Sequence, residues 1–254
     1  MQNKKWGWLE LLTVLAAIMV AVNFYVGLIY APDPSNLQTE VTRKAQHIFY
    51  YHMGMNVMAG LGMLVNFIGS VLYLLTRRRF WDAVARSAAE IGVLFGIGVL
   101  VSGSLWARPT WNTWWTWDPR LTTATITILL YAAYLMLRNA VEDPDRQARF
   151  AAVYGTFAFI SVPITFMSIR LWRTIHPTVF GGGDPAAKGA FALGPHIRFA
   201  MQFSSWTFML VFLLFLVVRV RVALLEERVM ALRQQVDAQL SRGAEVDPME
   251  HAGS

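Results

Sequence analysis

The sequence predicts an all-α membrane protein: a bundle of six transmembrane helices with an outer tryptophan-rich loop and a cytoplasmic amphipathic C-terminal helix. Three observations support this fold class. The 254 residues are 56% hydrophobic and only 15% charged. Six apolar windows are long enough to cross a bilayer, and the basic residues fall between those windows instead of forming one stripe.

The six helices can be placed because a bilayer-spanning helix needs about 20 mainly apolar residues. The first apolar stretch follows Lys4 and Lys5 like a signal sequence, but it runs to Tyr30 without a small-residue cleavage site, so we interpret it as a membrane helix. Pro163 in the fifth helix indicates either a kink or a packing feature. The expected spans are residues 8–29, 53–75, 88–106, 121–137, 150–169 and 200–218.

The distribution of Lys and Arg predicts the orientation. With six helices, the N-terminus, the 76–87 link, the 138–149 link and the C-terminal tail lie on one side, which carries most of the 22 basic residues. The positive-inside rule assigns that side to the cytoplasm. We therefore expect a multi-pass protein of the bacterial inner membrane, embedded in the lipid bilayer, with both termini cytoplasmic and the 106–122 segment periplasmic.

The chain divides into a membrane domain, residues 1–220, and a cytoplasmic helical tail, residues 221–254, with a disordered end from residue 243. The tail is predicted to be amphipathic, and this helix either docks onto a partner or packs against the bundle or the membrane surface. Its apolar residues are spaced four, three, four and four apart: Leu225, Val229, Leu232, Val236 and Leu240.

Charge and cysteine content exclude several function classes. The net charge of +6 is spread along the apolar spans, so it predicts membrane topology and no nucleic-acid binding. Zero cysteines exclude disulfides and thiolate metal sites, which leaves histidine as the natural soft-metal ligand. Arg86 and Glu90 are four residues apart in the third helix and predict a paired contact, with no functional role for Glu90.

The densest signal is a cluster that holds five of the ten tryptophans between the third and fourth helices. If part of it is helical, Trp111, Trp114 and Trp115 share a face and form a flat apolar shelf. The alternative is an aromatic belt in the headgroup zone, although a belt needs only one or two indoles. The five are Trp106, Trp111, Trp114, Trp115 and Trp117.

Four of the five histidines are predicted on the same side as this cluster; His251 lies in the tail. His47 and His52 precede the second helix, and His176 and His196 follow the fifth. Haem iron accepts two axial imidazoles, so one histidine from each segment would suit a haem lying against the indoles. On a helix His47 and His52 point about 140° apart, so only one of them reaches a given iron, and spacing does not choose between them.

Asp118 and Pro119 predict the start of the fourth helix, with aspartate at the N-cap and proline at the first helical position. Arg120 then lies in the first turn, where the helix dipole disfavours a cation. Its placement indicates an anionic partner, and Arg120 with Arg108 would suit the two haem propionates. Pairing of Arg120 with Asp118 is the alternative.

These residues resemble a known family. Residues 111–122 read W-N-T-W-W-T-W-D-P-R-L-T, which is similar to the W-G-x-W-W-x-W-D-x-R-L-T signature of the tryptophan-rich cytochrome c assembly proteins. Asn112 stands where that family usually has glycine, but asparagine tolerates a tight turn better than most residues. The six spans and the flanking histidines resemble the haem exporter protein C (CcmC) branch of the system I pathway.

The resemblance implies a function and a set of site residues. His52, in Tyr51-His52, and His176, in Trp172-Arg-Thr-Ile-His176, match the axial ligands of haem b held non-covalently, whereas His47 and His196 become ordinary loop residues. The implied function is haem transfer rather than enzymatic turnover. The residues implied to contact haem are Trp106, Arg108, Trp111, Trp114, Trp115, Trp117, Asp118 and Arg120.

The resemblance also implies partners and leaves rivals. Haem would be delivered to a periplasmic haem chaperone (CcmE). An ABC-type complex (CcmA/CcmB), together with the small subunit CcmD, would then release the loaded chaperone. Ligation chemistry would take place on the chaperone. The alternatives are a system II cytochrome c synthase subunit, which has more helices and an intramembrane histidine pair, and a haem-binding respiratory subunit. Both rivals predict histidines in mid-span, where this sequence has none.

Overall fold

The computed structural model describes residues 7–34, 37, 39–176 and 194–246, and every regular element in these ranges is helical. The first helix, α1, ends in a π-helical stretch, Val26–Tyr30. The helices are α1 (Trp8–Tyr25), α2 (Glu40–Thr76), α3 (Arg79–Trp111), α4 (Pro119–Ala140), α5 (Pro144–Ala158), α6 (Ser161–Leu171) and α7 (Pro195–Val246). The predicted all-α fold is confirmed.

Six helical segments of the described chain are long and apolar enough to cross a membrane, as predicted: α1 with its π-helical end, α2, α3, α4, α5 with α6, and α7. Several helices extend beyond the apolar windows: α2 begins at Glu40 instead of residue 53, and α3 begins at Arg79 instead of residue 88. The Thr39 hydroxyl caps this helix by accepting from the Thr42 amide at 3.1 Å, and Lys44 pairs with Glu40 at 2.8 Å. The polar early turns are therefore helical, and His47 and His52 lie on α2 instead of in a loop.

The tryptophan-rich segment is divided between a helix and a loop. α3 continues to Trp111 and stops because Asn112 adopts a left-handed conformation, with φ 58°. Trp114 and Trp115 follow in non-helical backbone, so the expected shared helical face with Trp111 is wrong. α4 starts as predicted: Asp118 is the N-cap, its carboxylate accepts from the Arg120 amide at 2.9 Å, and Pro119 is the first helical residue.

The fifth span is interrupted near Pro163, where a kink was one of the two expectations. α5 ends at Ala158, and α6 begins at Ser161, with Pro163 in its first turn. Proline has no amide hydrogen to donate to the preceding turn, which explains why the helix does not continue straight. The break directs α6 against α4, where Thr127 and Thr165 are joined by a hydroxyl–hydroxyl hydrogen bond of 2.9 Å.

Buried ion pairs hold the bundle at the end opposite the tryptophan-rich loop. Arg138 of α4 donates to both carboxylate oxygens of Asp82 of α3, at 2.6 and 2.7 Å, and both side chains are buried. The predicted Arg86–Glu90 contact is confirmed at 3.0 Å, and Glu90 also accepts from Arg219 of α7. Glu90 therefore links α3 to α7.

α7 passes without a break through residue 220, where the tail was predicted to begin. The apolar stripe of the predicted amphipathic helix is exposed, from Leu225 at 57% to Leu240 at 67%. The division into two domains stays a prediction, because one continuous helix carries both sides of the boundary. Residues 247–254, which include His251 and most of the predicted disordered end, lie outside the described residues.

The closest helix crossing joins α2 to α3 at two glycines. A Cβ on Gly62 would lie 2.7 Å from the Gly92 Cα and 2.9 Å from the Ala88 carbonyl oxygen. We expect Gly62→Ala to lower the free energy of unfolding by about 1–3 kcal/mol, because backbone atoms cannot yield to the added methyl. Thermal unfolding in detergent measures this.

The matched control is Gly60→Ala, two residues earlier on α2 and therefore on a different face of the helix. A Cβ there would lie 3.5 Å from the Phe166 ring, an ordinary contact distance. Alanine also favours helix by about 1 kcal/mol over glycine, so this variant should be as stable as the parent or more so. Equal destabilisation by both substitutions would contradict the close crossing.

Candidate haem site

A cavity opens at the tryptophan-loop end of the bundle, between α2, α3, α4 and α6. Its volume is about 150 Å³. Seven of the predicted site residues line it, although they come from three separate stretches of the sequence. These are His52, Trp106, Trp111, Trp114, Trp115, Arg120 and His176.

A series of aromatic contacts connects the two histidines along one wall. The His52 ring lies 6.1 Å from Phe49, and Phe49 lies 5.7 Å from Trp106. Trp106 contacts Trp111 edge-on at 5.2 Å, and Trp111 lies 6.3 Å from His176, all measured between ring centroids. Such tilted and edge-to-face pairs are favourable arrangements of aromatic rings, so they hold the wall in place.

The base of this wall is fixed by a buried polar contact. Trp106 is 4% exposed, and its indole nitrogen donates to the Gln46 side-chain oxygen at 3.2 Å. Because a buried indole N–H needs a partner, Gln46 determines which way the ring faces. Trp106 is therefore a core residue of the bundle as well as part of the cavity wall.

Asp118 connects the tryptophan-rich loop to the segment that carries His176. Beyond its capping bond, its carboxylate accepts from the Thr174 hydroxyl at 2.7 Å and from the Ile175 amide at 3.0 Å. The His176 amide in turn donates to the Thr174 hydroxyl oxygen at 3.0 Å. The structure does not place Asp118 on the cavity wall; it places Asp118 behind His176, as an anchor for that segment.

Arg120 projects into the bundle and lines the cavity. Its guanidinium donates to the Thr165 carbonyl of α6 and lies 5.2 Å from the Phe166 ring centroid. Arg120 is 8% exposed, so a buried cation borders this largely apolar space. The expected alternative, a pairing of this guanidinium with Asp118, is not the arrangement found.

Two predicted contact residues lie away from the cavity wall. Arg108 donates to the backbone and side-chain oxygens of Asn112, at 2.8 and 3.0 Å, and lies 5.9 Å from the Trp114 ring centroid. Arg108 therefore closes the end of α3 and supports Trp114 from outside. Trp117 is 78% exposed and contacts Trp115 edge-on at 5.9 Å.

The remaining described histidines have other partners. His47 lies on α2, where one ring nitrogen is 2.5 Å from the Gly27 carbonyl and the other is 2.8 Å from the Asp33 carboxylate. His196 is 2.8 Å from the Tyr30 hydroxyl. Neither histidine lines the cavity, so the geometry selects His52 from the pair that spacing left open.

Several cavity residues were not foreseen from the sequence. Phe49 and Asn56 lie on α2, one turn before and one turn after His52, so helical spacing from that histidine would have found them. Phe166 and Arg170 have the same one-turn spacing on α6. No sequence signal tied α6 to the site, because its contact with Arg120 is made only in the folded bundle.

Comparison with known proteins finds relatives over most of the chain. The family model for CcmC, Heme exporter protein C, matches residues 3–235. The Heme exporter protein C of Bradyrhizobium diazoefficiens is 30% identical over 242 residues, covering 94% of this chain and 86% of the relative. That of Escherichia coli K12 is 26% identical over 230 residues, covering 87% of each.

The match extends beyond the tryptophan motif to nearly the whole described bundle, including both histidine segments and the first part of α7. A similar relationship holds for the Heme exporter protein C of Paracoccus denitrificans, which is 28% identical over 186 residues, or 73% of this chain and 76% of the relative. The chain thus belongs to the Heme exporter protein C (CcmC) family of cytochrome c maturation.

Proposed function

We propose that the chain binds haem b non-covalently in this cavity, at the periplasmic face, and delivers it to a periplasmic haem chaperone (CcmE). One observation carries the proposal: His52 and His176, far apart in the sequence, line the same aromatic cavity. Two imidazoles are too few to hold a bare metal ion, for which three or four ligands are usual. They are a complete axial set for iron already held by a porphyrin.

The walls suit the remaining chemistry of haem. The porphyrin faces are flat and apolar, and the indole and phenyl rings offer them surface that is removed from water on binding. Arg120 supplies a buried cation toward which a propionate would be drawn, and a charge-assisted bond there would orient the macrocycle. Arg170 of α6 also lines the cavity wall and is the second arginine that a propionate would meet there.

The other predicted contacts take supporting roles in this proposal. Arg108 and Trp117 support the outer loop, where Trp114 and Trp117 are exposed, and this loop is the surface that meets the chaperone. Asp118 holds the His176 segment. Haem held by imidazoles, apolar contacts and a propionate bond, with no covalent bond to the chain, remains exchangeable, which suits transfer rather than enzymatic turnover.

The orientation and the partners follow from the same proposal. Basic residues concentrate at the end opposite the tryptophan loop, so the positive-inside rule puts the loop and cavity outside and both termini in the cytoplasm of the bacterial inner membrane. The sequence carries no nucleotide-binding motif. In this proposal, energy for releasing the loaded chaperone comes from the ABC-type complex CcmA/CcmB, with CcmD as the small subunit, as the family resemblance implies.

Purification from haem-replete cells, with and without the co-expressed chaperone, tests this function. We expect haem to co-purify with the intact chain, with an absorption spectrum typical of two histidine ligands, and the chaperone to co-elute when haem is present. A chain that retains neither haem nor chaperone under these conditions would overturn the proposal.

A further inference from the structure

Ser102 of α3 lies directly against the inner ring nitrogen of His52. Its hydroxyl oxygen is 3.0 Å from His52 Nδ1, and both side chains are buried. The same hydroxyl is 2.6 Å from the Gly98 carbonyl oxygen and 3.3 Å from the Val99 carbonyl oxygen. Ser102 therefore sits between a histidine and the backbone of its own helix.

The number of hydrogens determines the direction of these bonds. A serine hydroxyl carries one hydrogen, and carbonyl oxygens only accept. The hydroxyl hydrogen goes to the backbone, with Gly98 as the closer acceptor, so a lone pair of the Ser102 oxygen faces His52. His52 Nδ1 must then carry the hydrogen and donate it. A neutral imidazole has only one N–H, so Nε2 carries the lone pair that a metal can use.

The packing of α3 holds the ring in the same orientation. A Cβ added to Gly103, the next residue, would lie 3.2 Å from His52 Cε1 and 3.6 Å from Nδ1. The imidazole is thus seated on the bare backbone of Gly103, with Phe49 on its own helix 6.1 Å away. Two consecutive residues of α3 therefore fix both the position and the hydrogen bonding of one side chain of α2.

We propose that Ser102 is a positioning residue: it fixes His52 in the Nδ1–H tautomer and leaves Nε2 as the iron ligand. This inference rests on the proposed function, since it concerns how His52 is presented to haem. Metal-binding histidines commonly donate their second N–H to a fixed acceptor, which sets the tautomer and raises the basicity of the ligating nitrogen. Loss of such a partner costs roughly 10–100-fold in affinity.

Ser102→Ala tests the inference against a control on the same helix. Ser87 is also buried, and its hydroxyl donates to the Ala83 carbonyl at 2.7 Å in the same back-bonded geometry, but no histidine is bonded to it. We expect Ser102→Ala to weaken haem binding about 10–100-fold and to raise the reduction potential of the bound haem, because the imidazole becomes a weaker donor. Ser87→Ala should change neither quantity. Ser102→Thr keeps the hydroxyl, so it should have the haem affinity and the reduction potential of the parent.

Two comparisons separate this inference from the function on which it rests. If His52→Ala alters the bound-haem spectrum while Ser102→Ala keeps the parent affinity and potential, the positioning role is overturned and the ligand assignment stands. If His52→Ala leaves the spectrum unchanged, the assignment of His52 as an axial ligand is overturned, whereas a parent chain that retains no haem overturns the proposed function itself.

A measurement on the haem-free chain removes the dependence on haem and on the stability of the Ser102 variants. Nitrogen-15 NMR of the intact, histidine-labelled protein reports which ring nitrogen of His52 is protonated, with assignment by the His52→Ala spectrum. A protonated Nδ1 supports the inference, whereas a protonated Nε2 overturns it.

Discussion

His52→Ala and His176→Ala should each remove the spectrum of haem with two histidine ligands from the purified protein. Each histidine reaches the shared cavity from a different segment, so loss of either leaves the iron with one imidazole. The loss of haem affinity should exceed the roughly 10–100-fold that removal of an outer hydrogen-bond partner costs, because a direct iron bond is lost. Absorption spectroscopy and haem titration of each variant measure this.

Exogenous imidazole gives a sharper form of the same experiment. Each substitution leaves a space the size of the lost ring, and free imidazole entering that space should restore the spectrum of the six-coordinate iron. His196→Ala is the matched control, because His196 contacts Tyr30 and does not line the cavity. A His196→Ala spectrum as altered as that of His52→Ala would show that the axial ligands are misassigned.

The helical plan was predictable because apolar length is visible in a sequence. The beginning of α2 was not, because a hydropathy window responds only to apolar content. Its first turns are polar and depend on the Thr39 cap and the Glu40–Lys44 pair. That difference of three turns moves His52 from an expected loop onto a rigid helix, where a ligand is held more firmly.

The part of the candidate site that lies within one short motif was predictable from the sequence. The part that is formed by contacts between distant segments was not. Residues 111–122 made the tryptophans and Arg120 visible together. Spacing did not choose between His47 and His52; the family resemblance implied His52, and the structure places His52, not His47, at the cavity. Gln46 beneath Trp106, and Ser102 beside His52, are tertiary contacts between α2 and α3, and nothing local in the sequence marks them.

Asp118 shows how a correct local interpretation can hide a second role. Its capping of α4 was evident from the Asp-Pro pair, and it was also expected to contact haem. The structure instead joins its carboxylate to Thr174 and Ile175, which are far away in the sequence. We infer that it acts on haem through His176, by holding the segment that presents this ligand.

Asp118→Asn should therefore weaken haem binding while leaving α4 intact. Asparagine caps helices as well as aspartate does. Its side chain, however, offers one acceptor oxygen, so its amide group must face either the Ile175 amide or the Arg120 amide, and both of these are donors. A hydrogen bond to a charged group contributes about 1.5–3 kcal/mol, so the His176 segment should be correctly placed in a smaller fraction of molecules.

The apparent haem affinity falls in proportion to the fraction of molecules whose His176 segment is correctly placed. The expected loss of affinity is about 10–100-fold. Haem titration measures the loss, and circular dichroism checks that helix content is retained. Asp118→Asn should weaken the bond from His176 to the iron and leave the bond from His52 intact. Added imidazole should therefore recover most of the spectrum of the six-coordinate iron.

The chain supplies its own control at the start of α5. Asp143 precedes Pro144, and its carboxylate accepts from the Arg146 amide at 2.7 Å, which repeats the cap of α4 without bonds to the His176 segment. Asp143→Asn should leave haem affinity unchanged. If both aspartate variants bind haem as the parent does, the bond from Asp118 to the His176 segment contributes nothing to the site, and the cavity would hold that histidine by packing alone.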